Sequence, residues 1–328
     1  MTLYTDDEQW DNLVKSLDGS FLQSSAWAAF QEASGAQVHR IGGDGWACLL
    51  IAQRTRLRSY LFAPYGPVVA NPDVLPIALK AITEFGRKHK FHWVRIEPNG
   101  GVSTDTNFDA HIASCGVRYR ASHKQVNPLY TRILDLTPSE DELLASLSSS
   151  TRRTIRRHFD KQQLSFRTST TASDMPVFLD MMHTVSQRNQ VFFHSDDHFL
   201  TEAKVLMPRG DMRIEIAEFE GKPIACIVMH DFNNVTNYTY AASLPEARQY
   251  DASAILLWHV MCTAKSAGMT RLDLFGVVPD GTDSSHPWHG FSDFKRKFGG
   301  TVVRRGKTLD LPLSPRYYAY RSALKIAK

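Results

Sequence analysis

Residues Lys222–Ala242 read KPIACIVMHDFNNVTNYTYAA, and the parsing of this stretch decides the fold. Ile224-Ala225-Cys226-Ile227-Val228 is a short apolar run of strand-forming residues. Asn233-Asn234 tolerates the left-handed backbone of a two-residue hairpin turn. Asn237-Tyr238-Thr239-Tyr240-Ala241 is then the returning strand, with Tyr238 and Tyr240 on one face at period two. A helix is expected from Ala252 to about Ala267, stopped by Gly268. Arg271-Leu272-Asp273-Leu274-Phe275 closes the unit as a strand.

The same order occurs earlier in the chain. Strands at Trp46–Ile51 and Tyr60–Ala63 precede a helix from about Asp73 to Phe85, begun by Asn71-Pro72-Asp73 and ended by Gly86. Val74, Ile77, Ala78, Ala81, Ile82 and Phe85 form its apolar stripe, and Trp93–Glu97 is the closing strand. The registers agree: Ala47 and Ala225 are 178 residues apart, as are Tyr60 and Tyr238, while Arg95 and Arg271 are 176 apart. The chain therefore reads as two copies of one α/β unit with helices packed on mainly antiparallel sheets. The first is expected over 1–136 and the second over 137–304, with the segment from about 305 to 328 a candidate to pack back on the first.

The chain has 328 residues, of which 43% are apolar, which excludes a disordered chain, a fibre and a disulfide miniprotein. The longest apolar runs, Ile224–Met229 and Ala252–Trp258, are too short to span a bilayer. The acidic start, MTLYTDDE, lacks the pattern of a signal peptide. Cys48, Cys115, Cys226 and Cys262 form no Cys-x-x-Cys pair, so reduced thiols in a cytoplasmic protein are expected. Lysine and arginine number 38 against 34 acidic residues, a net +4 that is unevenly spread. Thr151–Arg167, TRRTIRRHFDKQQLSFR, places Arg152 with Arg156 and Arg153 with Arg157 at i,i+4 helical spacing. Like charges there repel unless an anion shares them, so a polyanion is a suspected partner and a solvated helix face is the bland alternative. Lys295, Arg296 and Lys297 form a second cluster. Thr137-Pro138-Ser139-Glu140 reads as a capping box starting a helix, which Ser148-Ser149-Ser150 weakens before the arginines.

Several blocks, taken together, resemble the FemABX family of aminoacyl-tRNA-dependent peptidoglycan transferases. They are Gly19-Ser20-Phe21-Leu22-Gln23-Ser24-Ser25-Ala26-Trp27, Tyr65-Gly66-Pro67-Val68, Asp135-Leu136 followed by Thr151–Arg157, Tyr238–Ser243, Ala254–Trp258, Asp273–Gly276 and Gly290–Gly300. The resemblance spans nearly the whole chain in order and implies two tandem GNAT-like domains without the long helical arm of larger members. It implies transfer of an amino acid from aminoacyl-tRNA to an amine on the stem peptide of a peptidoglycan precursor, either UDP-MurNAc-pentapeptide or lipid II. No cofactor beyond the aminoacyl-tRNA co-substrate is implied, and a monomer is expected, with peripheral membrane contact if lipid II is the acceptor. Two rival readings stand beside it: a FemAB-like acyltransferase acting on another amine of a peptide or polysaccharide, and a catalytically silent protein that binds tRNA or precursor.

Aminolysis of an aminoacyl ester needs a neutral amine, stabilisation of an oxyanion and a proton for the leaving ribose hydroxyl. No Ser-His-Asp or Cys-His motif is visible, so orientation and positive charge are the expected contributions. The resemblance gives the charge to Lys295 of the Phe294-Lys295 pair, as stabiliser of the oxyanion or of the tRNA terminus, with an ordinary surface lysine as the alternative. It offers Glu97 to accept a proton from, or to orient, the attacking ammonium, with capping of a loop as the alternative. It places Trp27, Tyr65, Tyr238 and Tyr240 at the acceptor, with core packing as the rival explanation for the two tyrosines of the Tyr-x-Tyr block. Gln31 and His194-x-x-x-His198 stand where the family has a phosphate-binding lysine and an Arg-x-x-x-Tyr pair, which lowers the fixed positive charge there. His194 and His198 also sit at metal-pair spacing, with no third ligand cluster evident, so no metal is expected. Arg152, Arg153, Arg156, Arg157, Arg296 and Lys297 are the candidate tRNA contacts. Asp251, in Arg248–Ser253, stands where a coenzyme A loop needs glycine and would repel a pyrophosphate.

Overall fold

The computed structural model of the protein describes residues 1–56, 58–100, 112–113, 115–189 and 193–326. By its contacts the chain divides into two units, Met1–Leu129 with Val303–Lys328, and Tyr130–Val302.

In the first unit Trp46–Arg54 pairs antiparallel with Ser59–Ala63, which runs parallel to Trp93–Ile96. A parallel neighbour requires a crossover, and the helix Leu75–Lys88 supplies it. In the second unit Lys222–Phe232 pairs antiparallel with Val235–Ser243, which runs parallel to Arg271–Gly276, and Ala252–Ser266 is the crossover helix. The two units thus share one topology. Asn233 and Asn234 both take positive φ, 55° and 58°, as the hairpin turn demands. Gly268, at φ 83°, stops the second crossover helix.

The strand beyond each parallel pair comes from outside the repeated passage. Leu309–Pro312 runs antiparallel to Trp93–Ile96 in the first sheet. Tyr130–Asp135 runs antiparallel to Arg271–Gly276 in the second. The strand before residue 136 therefore belongs to the second unit, which moves the expected boundary upstream of it.

Three local expectations also change. Gly86 does not end its helix, which continues to Lys88. A Cβ at Gly86 would lie 2.6 Å from Leu313 Cδ1 and 3.0 Å from Val94 Cγ2, so glycine is there for close packing rather than for a stop. The buried face of that helix is Leu75, Ala78, Leu79, Ile82 and Phe85, whereas Ile77 is exposed, because helical phase begins at Leu75. The capping box sits two residues later than read: Ser139 caps with Glu142, while Thr137 gives its N–H and hydroxyl to Asp135 at 2.9 and 2.7 Å. The arginines lie on a separate helix, Ser149–Lys161, capped by Ser148.

The core of the first unit gathers Trp46, Leu50, Leu61, Ile82, Val94 and Leu311 around the first crossover helix. That of the second gathers Ile227, Met229, Leu256, Trp258, Leu272 and Phe298 around the second. No helix among the described residues is long and apolar enough to cross a membrane.

Candidate functional site

The short helix His289–Arg296 in the second unit carries both residues of the Phe294-Lys295 pair. Lys295 is 7% exposed, and its Nζ donates to the Gly276 carbonyl at 2.9 Å. That carbonyl is offered by a distortion of the strand Arg271–Gly276. The register shifts between Asp273 and Gly276, and Phe275 takes a left-handed φ of 58°. Asp273 holds this backbone by accepting the Phe275 N–H at 2.7 Å. A non-glycine residue at positive φ persists only where its surroundings fix it.

The remaining surroundings of the ammonium are aromatic. Its Nζ lies 5.1 Å from the Tyr238 ring centroid and 5.2 Å from that of Phe291. Burial pushes the Lys295 amine down to about 7, with buried Asp273 opposing the shift. Such an ammonium has lost its water and makes no ion pair within 4 Å among the described residues, so an incoming anion is favoured.

Phe294 packs on the second core and on Phe298, with ring centroids 5.4 Å apart. Together with Lys297 these rings border a cavity of about 800 Å³, whose other walls include Thr154, Arg248 and Asp251. Asp251 precedes the crossover helix at φ 52°, and its carboxylate pairs with Arg157 at 2.6 Å. A carboxylate is thus carried by the residue that precedes the helix, where a pyrophosphate would need bare amides.

Tyr238 and Tyr240 do not share a face. The register of the hairpin shifts so that Val228 opposes Tyr240 and Met229 opposes Tyr238. Thr239 is the bulged residue; its hydroxyl donates to the Val228 carbonyl at 3.2 Å and lies 3.0 Å from His230 Nδ1. Tyr238 consequently packs on the core beneath Lys295, while Tyr240 meets Phe199 of the helix Asp196–Leu206, centroids 5.0 Å apart. Burial raises both phenols.

His194 and His198 stack at 4.0 Å between centroids, with His194 only 6.4 Å from the Tyr240 ring. His194 precedes the cap Ser195, so the pair is not a helical i,i+4 arrangement. Burial pushes His198 down, and proximity to His194 adds to this. Among the described residues no group of three or more His, Cys, Asp or Glu is gathered as a metal cluster.

On the basic helix, Arg152 donates to the Ala145 carbonyl at 2.7 Å and Arg157 is paired with Asp251. Arg153 and Arg156 are exposed and make no ion pair or hydrogen bond among the described residues. Arg296 contacts Asp293, and Lys297 reaches the same carboxylate at 3.3 Å. The Ser148 N–H donates to the Lys297 carbonyl at 2.9 Å, tying the start of the basic helix to the end of the lysine helix.

The first-unit candidates are different in kind. Trp27 and Gln31 sit one turn apart on the helix Ser25–Ala33, both half-buried, with Trp27 against Phe21 and Phe30. Tyr65 is 1% exposed at φ 43°, and its hydroxyl donates to the Pro128 carbonyl at 2.7 Å. Glu97 is wholly buried and accepts four donors: the Thr308 hydroxyl and Asn127 Nδ2, each at 2.6 Å, and the N–H groups of Asn127 and Tyr65 at 3.0 and 3.3 Å. Burial raises this carboxyl although all four donors favour the anion. With both oxygens engaged and no exposed surface, Glu97 is a loop clamp, and the expectation of a proton acceptor for the attacking amine gives way to the alternative.

Sequence reading missed Gly276, whose role is played by a backbone atom, and Phe291, whose signal was an aromatic four residues before Lys295 on a helix.

The FemAB family model matches residues 5–205, and that of an acetyltransferase (GNAT) domain matches residues 145–296. No curated protein matches the sequence. Among solved structures, one of FemX is 17% identical with a TM-score of 0.84, over 98% of this chain and 99% of that one. L-PGS from Bacillus licheniformis is 14% identical with a TM-score of 0.55, over 97% and 95%. A tandem GNAT protein from the clavulanic acid biosynthesis pathway is 14% identical with a TM-score of 0.53, over 94% and 97%. At these identities the likeness concerns the fold: two GNAT-like units in tandem, α/β with helices flanking mainly antiparallel sheets.

Proposed function

The chain belongs to the FemAB family, and from that premise we propose that it transfers an aminoacyl group from aminoacyl-tRNA to an amine on the stem peptide of a peptidoglycan precursor. Acyl transfer is the general chemistry of this family and of the GNAT fold. The observation that carries the finer reading is the buried ammonium of Lys295, held on a backbone carbonyl and flanked by aromatic rings.

The chemistry asked of the protein is modest. The acceptor amine attacks the ester carbonyl, negative charge develops on its oxygen, and the ribose hydroxyl departs with a proton. A desolvated ammonium stabilises that oxygen or the adjacent RNA phosphate far better than a hydrated one would. Lys295 is fixed before substrate arrives, so no reorganisation opposes the reaction. The cavity beside Phe294 and Lys297, which Lys295 does not line, is the proposed seat of RNA next to the reacting ester rather than of the ester itself. Arg153 and Arg156, unengaged among the described residues, are the proposed phosphate contacts, with Arg296 and Lys297 exchanging Asp293 for phosphate. Exposed ion pairs of that kind are weak enough to exchange. Trp27, Gln31 and Tyr65 of the first unit are carried as proposed acceptor contacts, and, independently of them, so are His194, His198 and Tyr240 of the second. Asp251 disfavours coenzyme A as the acyl donor.

The RNA part of this reading is tested by the salt dependence of tRNA binding. Changing Arg153 and Arg156 to alanine is expected to flatten the slope of log K against log salt by about 1 per residue. An unchanged slope removes the basic helix from the interface.

A further inference from the structure

Trp288, close in sequence to Lys295, has no part in the chemistry above, and Phe291 enters it only through its contact with the Lys295 ammonium. They are 41% and 40% exposed, and their rings lie 5.5 Å apart. The backbone that carries the indole is held from several sides. The Trp288 N–H donates to His286 Nδ1 at 3.0 Å, and its carbonyl accepts the Ser292 hydroxyl at 2.7 Å. Ser292 in turn accepts the Val278 N–H at 3.0 Å, and the His289 N–H closes a turn on the His286 carbonyl at 2.8 Å. A large aromatic surface is thus presented to solvent on a fixed backbone, one helical turn and then two from a buried ammonium. The basic helix, with exposed Arg153 and Arg156, is anchored to the end of this same helix through Ser148 and Lys297.

We infer that Trp288 and Phe291 form a stacking platform for an unpaired base at the 3′ end of the RNA that carries the aminoacyl group. The inference rests on the proposed function and adds to it the element that grips the base. Aromatic faces stack on any base, while Arg296 and Lys297 at the far end of the same helix, and the basic helix tied to that end, are the cations that would hold phosphates further along the strand. That is the combination by which proteins bind single strands without reading sequence. The cations argue for a nucleotide rather than an apolar peptide or an acyl chain as the occupant.

The test uses the full chain, an RNA hairpin with a short single-stranded 3′ overhang, and the same hairpin blunt-ended. Trp288→Ala is expected to weaken binding of the overhang RNA about 5- to 100-fold and to leave the blunt RNA unaffected. Trp288→Phe should recover most of the loss, and thermal melting should show both variants folded. In the wild-type protein, a thiouridine in the overhang should crosslink to the segment 286–295, a result that needs no variant to fold. Undiminished overhang binding by Trp288→Ala, crosslinks elsewhere, or a loss appearing only in the KM of the acceptor would each overturn the platform. A wild-type chain that binds neither RNA would sink the functional reading itself, so the two failures are distinguishable.

Discussion

Replacing Lys295 by alanine should lower the rate of aminoacyl transfer about 10²- to 10³-fold, the usual consequence of removing one preorganised group from a developing oxyanion. The affinity for tRNA should fall only modestly, because the phosphates are assigned to other cations. The pH dependence gives a sharper form of this expectation. Burial holds the free Lys295 amine at about 7, so its charged form is lost as pH rises through that value. Since kcat/KM reports the free enzyme, its profile for the RNA substrate should descend near pH 7. A bound phosphate restores the charge and raises the amine again, so the corresponding limb of kcat should lie at higher pH. Coincident limbs would contradict the assignment.

The same lysine should leave a mark on stability. Its folded value lies below the unfolded one of 10.5, so the unfolded chain binds more protons between them and wild-type stability gains as pH rises through that window. The cost of burying the ammonium is full below about 7. The melting temperature of Lys295→Met minus that of the wild type should therefore fall between pH 6 and pH 10. Differential scanning at the two pH values checks this, and a constant difference would mean the amine is not desolvated.

Glu97→Ala should strongly destabilise the first unit. It strands the Thr308 hydroxyl, both Asn127 donors and the Tyr65 N–H, so a loss of about 3–5 kcal/mol is expected. For a unit of this size that corresponds to a fall of about 6–20 °C in its melting temperature. Glu97→Gln keeps one acceptor oxygen but turns an amide toward donors, so it should fall between. If Glu97 were instead the proton acceptor, Glu97→Gln would fold normally and lose the rate. Measuring turnover per folded molecule separates the cases: the clamp predicts near-normal turnover for whatever fraction folds.

The duplication was legible because strand, turn and crossover helix each leave a local pattern, and two copies in register reinforce one another. The source of the strand beside each parallel pair was not, since Tyr130–Asp135 and Leu309–Pro312 reach their sheets by long-range pairing with no local signature. The Tyr-x-Tyr passage misled for a related reason. Alternation reads as one face, and only the bulge at Thr239 sends Tyr238 and Tyr240 to opposite sides.

The resemblance motifs show a second limit. Gln23, from the first block, is wholly buried; it donates to the Pro64 carbonyl at 2.6 Å and accepts the Leu49 N–H at 2.7 Å. A Cβ on Gly66 would come within 2.7 Å of that same amide. Ser20 and Ser24 cap short helices. These residues secure the loop around Tyr65, and sequence alone does not separate a residue that holds a loop from one that holds a ligand. For Lys295 the geometry adds an environment that the motif does not specify. A basic run predicts a solvated lysine, whereas the structure buries this one on the Gly276 carbonyl.

Incubating the protein with total aminoacyl-tRNA and a set of nucleotide-linked and lipid-linked peptidoglycan precursors, then weighing the precursors by mass spectrometry, tests the central claim most directly. The account predicts that at least one precursor gains the mass of an aminoacyl residue on its stem peptide, and that Lys295→Ala slows the gain about 10²- to 10³-fold. A wild-type enzyme that adds nothing to any precursor, or that acylates equally well from acetyl-CoA without tRNA, would contradict it.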